Sequence, residues 1–407
     1  MIENPYPFYA ALRAAGPVAY AKAHDLWVVS RYEACAAVLR DAATYQELDN
    51  AWLDRWHAGA DSAMPANGPL AAPIDGHVAG HVGDDSARLT PREVMVNRAA
   101  ILAQRETLGE PRLRALADEL IGRCAATGQV EFVGQFARPL VTAAVGELFG
   151  LPAKPWLAFF DAWDECFRPS TDPRQRARQA FFDPWNSFSA RRAAFRVGVA
   201  NELTNRRASP RADVLGAIAR LSDDHTPRSD RDIPQMVERF ATSAVVSLAD
   251  FLGSLVWLIV RDPALREELS ADPSLLTGAI EESLRLEPPI PALFFQASVT
   301  TNLAGSRIPA GAKLIVLLAS ANRDERVFPD ADHFDPRRRN AAAHLAFSLG
   351  PGSCCGTPLV RRLGRVALAA LLSRLPGLRV RADSDLTHYE KRYNRGYRRL
   401  DLEFDPR

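Results

Sequence analysis

Between Val237 and Pro263 the chain reads VERFATSAVVSLADFLGSLVWLIVRDP, which is apolar almost all the way round a helix for more than 20 residues. A helix without a polar face has no place on a protein surface, so this one is expected to run through the centre of the fold. Arg261-Asp262-Pro263 ends it. Its longest unbroken apolar piece, around Ser254 to Val260, is well short of the roughly 18 to 20 residues that span a bilayer. The expected surroundings are therefore protein rather than lipid, and no membrane association is expected.

Other features agree with an intracellular enzyme-sized protein. The opening MIENPYPFYAALRAAG places acids, prolines and tyrosines where a secretion signal needs a basic start and an apolar run, so a cytoplasmic location is expected. Cys35, Cys124, Cys166, Cys354 and Cys355 are odd in number and have no framework spacing, as suits free thiols in a reducing compartment. With 50 basic against 49 acidic side chains, no excess of charge argues for nucleic acid.

The coarse pattern is mostly α with small β-sheets, an α+β class, in a single unit covering 1–407. A helix (PYPFYAALRAAG), a short strand (LWVVSR) and a second helix (YEACAAVLRD) open the chain. Residues 46–90 carry Gly, Pro, Asp and His with two isolated aromatics, Trp52 and Trp56, and no period. Loops that long are usually functional, and a substrate-facing lid is expected within the divergent stretch 46–110. From Pro91 to Val260 helix follows helix, with the central one over 237–263. Later come short strands in RIPAGAKLIVLLAS, LRVRA and RRLDLEF.

The chemistry concentrates at FSLGPGSCCGTPLVRR, Phe347 to Arg362, where two adjacent cysteines sit between a glycine-rich turn and a helix expected over Leu359 to Leu372. A thiolate is the metal-ligating form, and it is favoured where backbone N–H groups and a helix N-terminus converge. Gly350, Gly352 and Gly356 would let the backbone wrap such a sulfur. Zinc would need four separated ligands, which are missing. A nucleophilic cysteine needs a base, which this stretch does not place. Two small buried apolar side chains are the plain alternative.

Phe347, Gly350, Cys354 and Gly356, followed by Leu359 and Arg361, resemble the heme-binding loop of the cytochrome P-450 superfamily. Glu282-Ser283-Leu284-Arg285 resembles the family's Glu-x-x-Arg motif, and RIPAGAKLIVLLASANRDERVFPDADHFDPRR follows in the family's order. The helix end RDPALREEL and the opening NPYPFYAALRAAGPV are similar to bacterial members. The resemblance covers nearly the whole chain, weakly between Gln46 and Gly109. It implies the family's triangular-prism fold, heme b held through Cys354 in the loop and helix of 344–375, and Cys355 as a packing neighbour. It also implies a structural triad of Glu282, Arg285 and His333, the last standing where an arginine is usual. The implied activity is oxygen insertion into, or oxidative coupling of, a small and largely hydrophobic molecule in specialised metabolism. The implied electron donor is a ferredoxin or flavodoxin on the Cys354 side, where Arg361, Arg362 and Arg365 offer a basic face.

The chain also departs from the family. Where an acid and an alcohol are usual on the central helix it has Val246 and Ser247; Ser247 keeps the alcohol, and Asp250, one turn beyond Val246, is the expected stand-in for the acid. Thr242 and Ser243 are expected to bond back to their own helix. Val245, Val246, Ala249, Phe294 and Phe295 are the expected pocket lining. Gln296 stands where an arginine usually meets the heme propionates, Gly352 where a histidine does, and Arg98 is the expected replacement among Arg88, Arg92, Arg98 and Arg105. These losses leave two other readings open: a partner or scaffold protein on the same fold without its heme chemistry, and a peroxide-driven heme enzyme.

Overall fold

The computed structural model describes residues 3–48, 99–101, 103, 108–167, 184–221, 232–388 and 394–406. The expected lid with Trp52 and Trp56, and the arginines Arg88, Arg92, Arg98 and Arg105, lie outside the described residues. The chain opens with α1 (Tyr6–Ala15), the hairpin β1 (Val18–Ala21) and β2 (Leu26–Val29), α2 (Tyr32–Arg40) and β3 (Tyr45–Glu47). After α3 (Glu110–Cys124) and β4 (Gln129–Glu131) come α4 (Arg138–Phe149), α5 (Ala153–Phe167), α6 (Pro184–Ala208), α7 (Val214–Leu221) and the central α8 (Asp232–Val260).

The last third holds α9 (Pro263–Ala271), α10 (Leu276–Leu286), the strands β5 (Leu293–Ala297), β6 (Thr301–Leu303), β7 (Ser306–Ile308) and β8 (Lys313–Val316), and the single turn α11 (Leu318–Ala321). It closes with α12 (Thr357–Arg374), β9 (Arg379–Val380) and β10 (Asp401–Glu403). The expected α+β class is found. Pattern reading missed β1, β3 and β4, which are three or four residues long and too short to show a period.

The break after α8 has a clear cause. Asp262 caps α9 by accepting the backbone N–H groups of Ala264 at 3.0 Å and Leu265 at 3.2 Å, and Pro263 needs no partner in the first turn. A 28-residue apolar helix, Ile233–Val260, is long enough to cross a membrane, contrary to the expectation from its longest unbroken run. Yet 78% of its most apolar window is buried inside the protein. It serves as the axis of the main core, with α4, α6, α10 and α12 against it.

A second core fills the space under the five-stranded sheet β1-β2-β8-β5-β3, in which β2 and β8 run parallel and the other pairs antiparallel. Buried charges staple the ends of the chain to its middle. Arg31 donates to Asp324 at 2.7 Å and Glu325 at 2.6 Å. Arg395 donates to Glu287 at 2.7 Å, and the Arg323 guanidinium lies 3.6 Å over the Tyr6 ring.

Candidate active site

The cysteine loop is closed by two features. The Cys354 N–H donates to the Phe347 carbonyl at 2.9 Å. Gly350 turns the backbone at φ 64°, where a side chain would also meet the Arg40 Cα at 3.1 Å. Gly352 and Gly356 do not adopt positive φ, so only Gly350 of the three expected hinge glycines is demanded by conformation. Gly356 matters through its N–H, which donates to the Cys354 sulfur at 3.3 Å just before α12 begins at Thr357.

Cys354 is exposed as a residue, yet its sulfur is surrounded by protein. That surrounding raises its thiol pKa despite the N–H groups of Gly356 and Thr357, which pull it down. The helix end alone therefore does not hold a thiolate, and ligation to a metal would have to drive the proton off. Cys355 turns into the main core, half-buried, with its thiol pushed up to about 12 by burial and by its neighbour.

Helix α8 packs against α12. Phe251 touches α12 at Gly364, where an added Cβ would lie 2.9 Å from the ring. From that contact Ser247 and Ser243 lie one and two turns back along α8, on the same face. Along this stripe Phe240, Ala244 and Ser247 are half-covered and Ser243 is exposed; Gln235, Met236, Arg239, Thr242 and Trp257 are the other half-covered residues described on α8. A sulfur with its backbone donor at the head of α12, and half-covered hydroxyls on the neighbouring α8, fit a prosthetic group ligated by Cys354.

The Ser247 hydroxyl donates to the Ser243 carbonyl at 2.7 Å, so the helix back-bond expected of Thr242 and Ser243 is made by Ser247, and the Thr242 hydroxyl is buried without a partner. Asp250 corrects a second expectation. It is 2% exposed and packs so closely on Gly396 that an added Cβ there would lie 2.2 Å from its Oδ1. Its carboxylate thus packs on the carboxyl-terminal segment.

Part of the expected lining is core. Val245 and Ala249 are each 1% exposed, and a helix step of two residues sets them on the far side of α8 from Ser243 and Ser247. Val246 is buried beside the stripe at 6%. Phe295 is packed into the sheet core, whereas Phe294 and Gln296 share the other, half-covered face of β5. A cation missed in the sequence stands there. Lys313, opposite Gln296 in the β5/β8 register, donates to the Gln296 Oε1 at 2.5 Å, and burial lowers its pKa.

The triad also needs correction. Glu282 and Arg285, both fully buried on α10, are hydrogen-bonded to each other. The third cation is Arg338, which donates to the Glu282 Oε1 at 2.6 Å. His333 is exposed and contributes only its carbonyl, to Arg285 at 3.1 Å and Arg338 at 3.2 Å. Arg285 also donates to the carbonyls of Asn322 at 3.0 Å and Ala331 at 2.6 Å, which pins the 322–338 loop to α10.

The basic face expected beyond the cysteine is largely neutralised from within. Arg361 donates to both oxygens of Glu281 at 2.7 Å, Arg362 to the Leu108 carbonyl at 2.6 Å, and Arg365 pairs with Glu110. Burial tends to raise the Glu281 pKa, but hydrogen bonds and charges from Arg361 and His344 hold it at about 2. A carboxylate depressed in the folded state stabilises it above the ordinary carboxylate range and ceases to do so as the pH falls through its folded pKa. Acid titration of stability should therefore show a Glu281-dependent loss between about pH 4.5 and 2, and Glu281→Gln should remove that part of the slope; equal slopes in the two proteins would refute it.

Comparison with known proteins agrees with this site. The family model described as Cytochrome P450 matches residues 261–386, which include α10 and the cysteine loop. The chain is 29% identical to the cytochrome P450 monooxygenase PikC of Streptomyces venezuelae, covering 98% of this chain and 91% of that protein. It is 28% identical to 6-deoxyerythronolide B hydroxylase of Saccharopolyspora erythraea, covering 93% and 91%. Among solved structures, CalO2 superposes with a TM-score of 0.77 at 27% identity, covering 99% of this chain and 96% of that one. The loop that presents Cys354 and these matches agree: over nearly its whole length the chain is similar to heme-thiolate monooxygenases of the cytochrome P450 superfamily, a family whose cofactor is heme b.

Proposed function

We propose that this chain oxidises a small, largely apolar organic molecule of specialised metabolism, held in the cleft between the cysteine loop and the half-covered stripe Phe240, Ser243, Ala244 and Ser247 of α8. The observation that carries the reading is the Cys354 sulfur, held by the Gly356 N–H at the head of α12, the helix that packs on α8. The setting in specialised metabolism rests on the names of relatives such as mycinamicin IV hydroxylase/epoxidase. Cys354 is the proposed proximal ligand, with Gly356 donating to its sulfur and Phe347 closing its loop. When bound, the heme supplies oxygen activation, which a thiolate ligand favours by pushing electron density toward O–O cleavage.

The protein's own residues then set access and proton supply. The Ser247 proton is committed to the Ser243 carbonyl, which leaves the hydroxyl oxygen to accept from water or from a donor on the substrate. Val246 brings no acid to the stripe, and the Asp250 carboxylate packs on Gly396. The half-covered face of Phe294, Gln296 and Lys313 is proposed to meet the anionic edge of the cofactor in place of the usual arginine. Reduction is assigned to a ferredoxin or flavodoxin that approaches from the Cys354 side.

The valine at position 246, next to Ser247, favours one second reading, in which hydrogen peroxide replaces oxygen and reductant. The test is turnover of apolar candidate substrates by the heme-loaded protein, once with ferredoxin, its reductase and NADPH and once with peroxide alone. Turnover with the reductase system that matches or exceeds peroxide turnover supports the main reading, and turnover with peroxide alone overturns it in favour of the second. If proton delivery limits the reductase reaction, Val246→Asp should raise it by about tenfold or more and leave peroxide turnover little changed, since a positioned acid typically contributes 10² to 10⁴.

A further inference from the structure

Directly behind the cysteine loop lies a cluster that no expectation named. Glu281 on α10 is 5% exposed and carries two partners. Arg361 grips both its oxygens at 2.7 Å, and His344 places Nε2 3.4 Å from its Oε2. The other imidazole nitrogen of His344 accepts the Ala346 N–H at 3.2 Å, which fixes the ring. The two partners then meet again on a single side chain: the Phe347 ring centroid is 5.3 Å from the His344 ring and 5.3 Å from the Arg361 guanidinium carbon. Phe347 is the residue whose carbonyl receives the Cys354 N–H.

We propose that Glu281 is a positioning residue for the cysteine ligand, acting through Arg361 and His344 to hold Phe347 in place and so keep water off the sulfur. The proposal rests on Cys354 being the heme ligand. A buried carboxylate bidentate to arginine is geometrically exacting, and a guanidinium on an aromatic face adds to its order. The cluster joins α10, the loop and α12, so that the loop cannot shift without breaking it. Water or any other donor reaching the thiolate would draw electron density from it and raise the reduction potential of the iron.

The test is a double-mutant cycle read by spectroelectrochemical titration of the heme-loaded protein. Glu281→Gln is expected to raise the reduced-to-oxidised ratio at fixed applied potential about tenfold, equivalent to about 59 mV for one electron. In a Phe347→Ala background the same substitution should change the ratio by less than about twofold, because its route to the sulfur is gone. Arg361→Lys, which keeps the charge without the fork, should fall between wild type and Glu281→Gln.

A full Glu281→Gln shift that persists without Phe347, or no shift in a variant that retains thiolate-ligated heme, overturns the proposal. Should Glu281→Gln not fold, Arg361→Gln, altered on the half-exposed side of the cluster, takes its place in the same cycle with the same expected and overturning results. Wild-type protein that takes up no heme would instead overturn the functional reading and is a separate result.

Discussion

Replacing Cys354 by alanine is expected to abolish the thiolate signature in the carbon monoxide difference spectrum of the dithionite-reduced, heme-loaded protein, whereas Cys355→Ala should leave it intact. The two sulfurs are adjacent in sequence and opposite in surroundings. Cys354 is exposed and accepts the Gly356 N–H, while Cys355 packs into the main core. Loss of one methyl-sized sulfur group from that core should cost Cys355→Ala about 1 kcal/mol, visible as a small drop in thermal midpoint with unchanged ligation. A thiolate signature surviving in Cys354→Ala, or lost in Cys355→Ala alone, would reverse the assignment. Electron-driven turnover should follow the signature, since an iron without its thiolate loses the electron donation that favours O–O cleavage.

The second large effect is one of stability. Arg285→Ala strands the fully buried Glu282 carboxylate with a single remaining cation and leaves the carbonyls of Asn322 and Ala331 without their Arg285 donor. Breaking a buried ion pair from one side costs about 3 to 5 kcal/mol, a large share of the 5 to 15 kcal/mol that is typical for a folded domain. Arg338→Ala removes the other cation and should cost a comparable though smaller amount. His333→Ala should stay within about 0.5 kcal/mol, because only its main chain is used. Urea unfolding of the three variants would decide the matter. A costly His333→Ala with a silent Arg338→Ala would restore the histidine to the triad.

The contrast between these two residues shows where sequence reading ended. Cys354, Glu282 and Arg285 were legible because each sits in a fixed local frame: a turn before a helix for the first, a three-residue step on one helix for the others. Arg338 lies beyond an aperiodic loop whose path no spacing reveals, so the third cation was assigned to His333 by its place in the family order. The run Arg337-Arg338-Arg339 was the available signal, but nothing in it says which arginine turns inward. On α8 the error was one of phase. Val245, Val246 and Ala249 were taken as lining because they are near Ser247 along the chain, although steps of 100° per residue carry Val245 and Ala249 to the far side. Phe295 failed in the same way, on the alternation of a strand. Lys313 was missed because its relation to Gln296 exists only across two paired strands.

The parallel pairing of β2 with β8 has a bearing on how this protein comes into being. On the edge away from β1, Trp27, Val28 and Val29 pair with Leu314, Ile315 and Val316, and Arg31 waits for Asp324, 293 residues downstream. At about 5 to 20 residues per second, a ribosome takes roughly 15 to 60 s to supply that partner. The first hairpin must therefore leave the ribosome with one strand edge and one apolar face unsatisfied, and hold them so while the helical core assembles behind it. Such non-local closure slows folding, and an exposed strand edge invites pairing with other nascent chains. Slower production of the chain at low temperature, or a holdase chaperone present during synthesis, should therefore raise the soluble yield more than any change made to the finished enzyme.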